Sequence, residues 1–525
     1  MCRLFSAFLC LVPMVVQAAE EPQSKFEILE YRVLGNTVLA EIDIDRLLYP
    51  QLGPDKTIAD VEAARKALEG LYKDKGFGTV FVDIPEQDVN EGVVRLKVTE
   101  GRLDRVRVTG ARYYRNGQIR AELPALAQGQ VMNLPDLQQQ LGSINQEARD
   151  RQVTPVLRAG RVPGTVDVEL KVKDSLPLHG SAELNDRYSA NTTRTRLSLN
   201  ASFENLFQRY QNFSLQYQGS PQDFSQVRML AATYLVPLID SGNVLAFYGV
   251  DTNSDFAAAG SSGNFGILGK GRIYGVRYVI KLHSDAAATR TFTLGADYKH
   301  FEDDILLTSA TDATPIHYLG WTAALGDSER GEKSTSGFNL AANFGLRGVV
   351  NQPDEFAYKR SQARANYFYL RADVEHERPL FLGGTVFVKL AGQWTQEPLI
   401  SNEGFAIGGA DTVRGYLESE QLGDTGADLN LELRSASLNR WLGGWAQRFM
   451  GFLFYDAGTV SLLDPLPGKD GSIVSRHDLM GAGAGLRLTA FKDLTAALDW
   501  AYPLRDSTYT QKGDSRVHFQ LHYGF

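Results

Sequence analysis

Two periodicities divide the chain. Up to about residue 175, short alternating segments are interspersed with stretches whose apolar residues recur every three or four positions. Phe26, Ile28 and Tyr31-Arg32-Val33-Leu34 form an extended opening that ends at the turn pair Gly35-Asn36. From Asp60, Val61, Ala64, Leu68, Leu71 and Tyr72 share one helical face, and Gly76 is placed to end the helix. Val80, Val82 and Ile84, then Val94, Leu96 and Val98, alternate as half-buried strands joined by Gln87–Gly92. The plan then repeats. Val106 and Val108 precede Thr109-Gly110, Leu137, Leu141 and Ile144 share a helical face, and Val166, Val168, Leu170 and Val172 close the unit. Two modules of this size lie near the lower limit for independent cores, so they are expected to pack on each other or on the C-terminal remainder of the chain.

After Pro177 the helical period disappears. Alternating segments lie near 180–187, 194–204, 209–219, 224–236, 242–252, 269–282, 289–300, 315–325, 335–347, 362–375, 384–396, 427–437, 447–457, 479–490, 493–502 and 514–525. Their number, sixteen by this count, is even, as a single-chain antiparallel barrel requires. Leu429, Leu431 and Leu433 oppose Asn430, Glu432 and Arg434; Val517, Phe519, Leu521, Tyr523 and Phe525 oppose Arg516, His518, Gln520 and His522. In lipid the apolar set faces out and the polar set lines a wet lumen. One set of connections is short, as at Phe491-Lys492. The other is long, near 253–268, 301–314, 397–426 and 458–478. That asymmetry matches the short periplasmic turns and long outer loops of an outer-membrane barrel.

Composition agrees with this division. Aromatics make up 10% of the chain, with 27 Phe and 22 Tyr, which suits aromatic girdles. No apolar run of spanning length lies beyond the N-terminus, which excludes a helical membrane protein. Residues 1–18, with Arg3, the apolar run from Leu4 to Val16, and Ala18, read as a secretory signal peptide, leaving residues 19–25 as a short N-terminal segment. Both cysteines, Cys2 and Cys10, fall inside that signal, so the mature chain is expected to hold no disulfide or thiolate metal site. The formal charge of -8, with no basic run, gives no reason to propose nucleic acid as a partner. There is no P-loop, no Gly-x-Ser-x-Gly and no metal-spaced histidine pair, so no catalytic residue, metal or cofactor is assigned. His518 and His522 fit simple lumen lining, and His376 fits a wall residue near a turn.

Two motifs remain. The long loop 397–426 contains Ile407-Gly408-Gly409-Ala410-Asp411-Thr412-Val413-Arg414-Gly415-Tyr416, and the thirteenth strand contains Phe454-Tyr455-Asp456-Ala457-Gly458. Phe454, Asp456 and Gly458 share one parity; Phe449, Leu453 and Tyr455 occupy the other, so lipid contact by the second set turns Asp456 inward. A lumen carboxylate needs a partner, and Arg414 can meet it through two parallel hydrogen bonds, as lysine cannot. Gly415 permits a tight tip, Tyr416 is expected to pack beside Phe454, and Glu432 offers a second acidic contact.

With these motifs, the helix ending Leu71-Tyr72-Lys73-Asp74-Lys75-Gly76-Phe77, and Leu157-Arg158-Ala159-Gly160 with Pro163-Gly164-Thr165, the chain resembles the TpsB two-partner secretion transporters of the POTRA-barrel superfamily. The resemblance implies two periplasmic POTRA domains, 26–101 and 102–175, followed by a 16-stranded antiparallel transmembrane β-barrel over 176–525. It implies that the 397–426 loop folds into the lumen, where Val413, Arg414, Gly415 and Tyr416 meet the Phe454, Asp456 and Gly458 wall motif. It further implies an outer-membrane location and a TpsA-type secreted exoprotein as partner, captured by the POTRA domains. Outer-membrane lipid would surround the barrel, and the barrel-assembly machinery would read the terminal Phe525. An assembly factor of the same superfamily is the alternative; a passive porin, which lacks such modules, is a third reading. Two departures stand out. Ala410 occupies a position where the family often carries Arg. Residues 19–25 are too few for the N-terminal plug helix of many members, since seven helical residues span only about 10 Å, so none is expected.

Overall fold

In the computed structural model, residues 25–525 are described apart from 90, 191, 239–240, 254–255, 261–262, 268–269, 286, 308–309, 332 and 468–471. The expected signal peptide, and most of the segment that bears on a plug helix, lie outside the described residues. Two compact units result, divided between Leu176 and Pro177.

The first unit contains two modules with the same sheet plan. In the first module, Glu30–Leu34 pairs in parallel with the central strand Val93–Glu100, and Val80–Asp83 pairs antiparallel on its other side. In the second, Arg102–Thr109, Thr165–Asp174 and Arg151–Ala159 repeat that order and those directions. Helix Ile58–Asp74 covers the first sheet, starting at a capping box in which Thr57 and Asp60 exchange hydrogen bonds. Its buried Val61, Ala64, Leu68 and Tyr72 join Ile28, Val80, Val82, Val94, Leu96 and Val98 in one aliphatic core. Each Val, Leu or Ile of this core contributes roughly 1.5–3 kcal/mol on full burial. Gly35 and Gly110 mark the internal repeat. Both have φ near +90°, and a Cβ on either would lie 2.4 and 2.3 Å from the carbonyl oxygens of Val98 and Val172 respectively. The modules meet through Leu134 N–H donating to Gly76 O at 2.9 Å and Arg102 donating to Thr37 Oγ1 at 2.7 Å. The helix expected around 135–146 spans Leu134–Glu147, and two shorter helices, Glu41–Leu48 and Asn116–Ala121, lie where no clear periodicity marked them.

The second unit is a closed barrel of sixteen antiparallel strands. In chain order they are β1 (Leu178–Asn185), β2 (Arg196–Leu206), β3 (Gln211–Gly219), β4 (Arg228–Leu238), β5 (Asn243–Thr252), β6 (Gly271–Ser284), β7 (Ala288–Leu307), β8 (Ala310–Arg330), β9 (Thr335–Gly345), β10 (Phe368–Pro379), β11 (Thr385–Thr395), β12 (Thr425–Arg434), β13 (Ala446–Ser461), β14 (Arg476–Ala490), β15 (Leu494–Pro503) and β16 (Arg516–Gly524). Closure is antiparallel, with Gln520 opposite Asn185 and Gly524 opposite Ser181. Phe525 extends the seam: its N–H donates to Gly180 O and its carbonyl accepts from Gly180 N–H, each at 2.9 Å. The expected loop 301–314 is a correction: β7 and β8 continue pairing from Phe301 opposite Ile316 as far as Leu307 opposite Ala310. The expected strands were read from alternating polarity, which stops near Phe301, whereas backbone pairing carries the hairpin on without it.

Candidate functional site

The connection between β11 and β12 turns back into the barrel. Its two limbs pair over three residues, Phe405 opposite Gly423 and Ile407 opposite Gln421, so the segment between them forms a defined tip. The tip holds its own shape: Gly409 N–H donates to Val413 O at 3.2 Å, Ser419 N–H to Gly408 O at 3.2 Å, and Gly408 N–H to Thr412 Oγ1 at 2.9 Å.

Arg414 sits at this tip with 3% of its side chain exposed. Its Nε donates to Asp456 Oδ2 at 2.7 Å and its Nη2 to Asp456 Oδ1 at 2.9 Å, a two-point match to the inward carboxylate of β13. The Arg414 backbone N–H also donates to Asp456 Oδ2, at 3.1 Å. Nη1 reaches Glu432 Oε1 on β12 at 2.7 Å and lies 3.5 Å from Asp499 Oδ2 on β15. The guanidinium lies over the Phe454 ring, 3.7 Å from its centroid. Further arginines balance the acids: Arg434 contacts Glu432 at 2.8 Å and Glu377 at 2.6 Å, and Arg487 bonds to Asp499. The result is a network of alternating charge across the lumen wall. A buried charge is tolerated only when paired and hydrogen-bonded, and Arg414 is both.

Small residues make the approach possible. Gly415 has φ +100°, and a Cβ there would lie 3.3 Å from Pro503 N. On the wall, a Cβ at Gly481 would fall 2.1 Å from Arg414 O, and one at Gly458 2.9 Å from Val413 Cγ2. Gly458 of the wall motif is thus the seat for Val413, which is fully buried with Ile407, Tyr416, Val460 and Leu479.

One expectation is corrected. Tyr416 does not pack in the cluster that holds Phe454; Phe454 belongs with Phe452 and Ala501. The face of Phe454 is taken by the Arg414 cation, which an aromatic ring attracts, while the Tyr416 hydroxyl donates to Met480 O and lies 2.9 Å from Arg505 O as well. His518 is another. It does more than line the lumen, since its Nε2 accepts the Gly415 N–H at 3.1 Å and its Nδ1 faces Asp186 at 3.2 Å. Asp499, Asn430 and Gly481 also belong to the tip's seat. Asn430 donates to Asp456 Oδ1 at 2.9 Å and to Thr412 O. The alternation that sets Asn430 and Asp499 on the polar face of their strands was readable in advance; their facing the tip was not. At Ala410, the N–H donates to Glu418 Oε1 at 2.9 Å, and neighbouring Asp411 is paired by Arg187 at 2.9 Å. Beside the tip, a cavity of ≈ 310 Å³ is lined by Glu432, Arg434, Arg448, Arg487 and Gln520 among others.

Residues 164–488 match the family model described as haemolysin secretion/activation protein ShlB/FhaC/HecB, and residues 26–101 match the ShlB-type POTRA domain. The chain belongs to the ShlB/FhaC/HecB family. It is therefore a secretion transporter of the outer membrane, with its POTRA unit in the periplasm. It is 25% identical over 517 residues to the outer membrane transporter CdiB of Escherichia coli O6:K15:H31, covering 95% of this chain and 83% of that one. Among solved structures, CdiB from Escherichia coli aligns with a TM-score of 0.63 and 20% identity, covering 98% of this chain and 93% of that one. BamA from Haemophilus ducreyi lacking POTRA domains 1–3 aligns with a TM-score of 0.60 and 14% identity, covering 95% of this chain and 100% of that one. These likenesses place the fold; the details of the lumen are this chain's own.

Proposed function

We propose that this transporter exports one large TpsA-type exoprotein, captured unfolded in the periplasm and threaded through the lumen once the 397–426 loop yields. The protein itself catalyses no covalent reaction and hydrolyses no nucleotide; folding of the cargo outside opposes its return. Capture uses the open edges of the POTRA sheets, where an extended cargo segment adds as a further strand through backbone hydrogen bonds. On the outside of the barrel, outer-membrane lipid contacts the apolar strand faces, and the terminal Phe525 is the feature the barrel-assembly machinery reads.

One observation carries this reading: Arg414 is buried in the lumen against Asp456 and Glu432. An obstruction held by ion pairs is fixed when docked yet chemically separable, because water and cargo side chains can replace the same hydrogen bonds. The test has two parts. Deleting the gene should abolish surface release of a single large exoprotein, first sought in the neighbouring reading frame, and Arg414→Ala should raise planar-bilayer conductance. Unchanged release and unchanged conductance would refute the reading. The BamA-like barrel supports a second reading, insertion of other proteins into the membrane; a general loss of outer-membrane proteins on deletion would favour it.

A further inference from the structure

The tip is not the loop's only anchor. Its exit limb ends at Asp424, whose side chain is 1% exposed. The cation that meets Asp424 comes from a different outer loop. Between β9 and β10 the chain forms a short helix, Pro353–Lys359, whose Phe356 is buried against Tyr318 and Tyr367 with ring centroids 5.4 and 6.0 Å apart. Those aromatic contacts seat the helix on the barrel's inner wall, at the inward-facing Tyr318 of β8. The next residue is Arg360. Its Nη2 donates to Asp424 Oδ2 at 2.8 Å and to Leu463 O at 2.9 Å, and its Nη1 bonds to Asp424 Oδ1 and Leu399 O. Asp424 also accepts the N–H groups of Leu399 at 2.9 Å and Leu463 at 2.7 Å. One guanidinium therefore ties together three outer connections: the one carrying the helix, both limbs of the inserted loop, and the one after β13.

The entry limb is fixed separately. Glu403, 3% exposed, meets Lys299 at 2.6 Å and Tyr369 Oη at 2.7 Å, and bonds to Tyr318. Gln393 Nε2 donates to both Glu403 O and Asp424 O at 3.0 Å, joining the two limbs. Among the described residues, none of these groups bonds to Arg414 or to the acids that hold it, so the root contacts are separate from those of the tip.

We propose that Arg360 is a positioning residue for transport: the 346–367 connection is a strap that pins the root of the inserted loop, and the plug stays closed only while both the tip, at Arg414, and the strap, at Arg360, hold. The proposal rests on the inserted loop being the plug. It predicts that loosening the root opens the pore with every tip residue intact.

Planar-bilayer recordings of the full-length barrel test this. Arg360→Ala should spend about tenfold more time in open states, a shift that roughly 1.4 kcal/mol of lost anchoring produces. Folding is controlled by the heat-dependent electrophoretic shift of the intact barrel. A second variant carries Arg360→Cys and Asp424→Cys, in a chain whose only other cysteines are Cys2 and Cys10. Joining the pair with a short cleavable bifunctional thiol reagent should restore closure, and reductant should restore opening. If Arg414→Ala opens the pore while Arg360→Ala and the unlinked double variant stay closed, the strap is refuted and the plug reading stands. If none of the three opens it, the plug reading fails, and the strap with it.

Discussion

The first POTRA module and the barrel use the same alternation with opposite contents. In the module, Val94, Leu96 and Val98 point into a packed aliphatic interior, and Arg95 and Lys97 point to water. On β13 the buried row contains Phe452, Phe454 and Asp456, while Leu453 is 61% exposed on the outside. Alternation identifies a strand; the solvent on each side decides which residues are buried. In water, burial rewards apolar area. In a bilayer the outer face already satisfies the apolar side chains, and the interior can hold charge if each charge has a partner. Arg414 with Asp456 and Glu432 is the consequence: in the barrel, specificity of position comes from ion pairs rather than from aliphatic packing.

Three experiments would break or sharpen that contrast, the largest effect first. Asp456→Ala should weaken docking of the loop tip by about 3–5 kcal/mol, because it leaves a buried guanidinium short of its two-point partner. Increased open-channel time in bilayers and new protease cleavage between residues 408 and 420 are the expected results; a tip still protected at wild-type level contradicts it. Next, Leu453 and Phe81 offer a matched pair, 61% and 62% exposed, one on the barrel and one on a POTRA edge strand. Leu453→Arg should cost about 2–4 kcal/mol on a lipid face, while Phe81→Arg in water should stay within about 0.5 kcal/mol. Urea titration of folding into vesicles for the first, and thermal unfolding of the POTRA unit in the full chain for the second, measure the difference; equal penalties would erase the contrast. The smallest effect belongs to His518→Ala. It removes one acceptor from the Gly415 N–H and should loosen the tip by about 0.5–1.5 kcal/mol, seen as brief openings that vanish in His518→Gln, whose side-chain oxygen can accept the same N–H.

Much of the site was legible as a pairing of motifs, and less as a contact map. The pairing of Arg414 with Asp456 came from the resemblance of their two motifs to the family's, with strand parity adding that Asp456 points inward. Tyr416 was expected beside Phe454 but packs with Ile407 and Val413; Gly415, with its positive φ, stands between it and Arg414, a turn that residue types alone do not reveal. The root anchors escaped notice altogether. Arg360 and Asp424 are 64 residues apart, one after a seven-residue helix too short to show a periodic face, the other in a polar stretch typical of any loop.

The chain's own pattern determined that there are two repeated α/β modules, that sixteen strands come after them, and which face of each strand is apolar, since these depend on local periodicity and on the medium. Which loops enter the lumen, and which distant charges find one another there, was decided only when the sheet closed. Closure brings β12, β13, β15 and β16 around a common interior, and the energy of a buried ion pair depends on that three-dimensional enclosure, not on any spacing along the sequence.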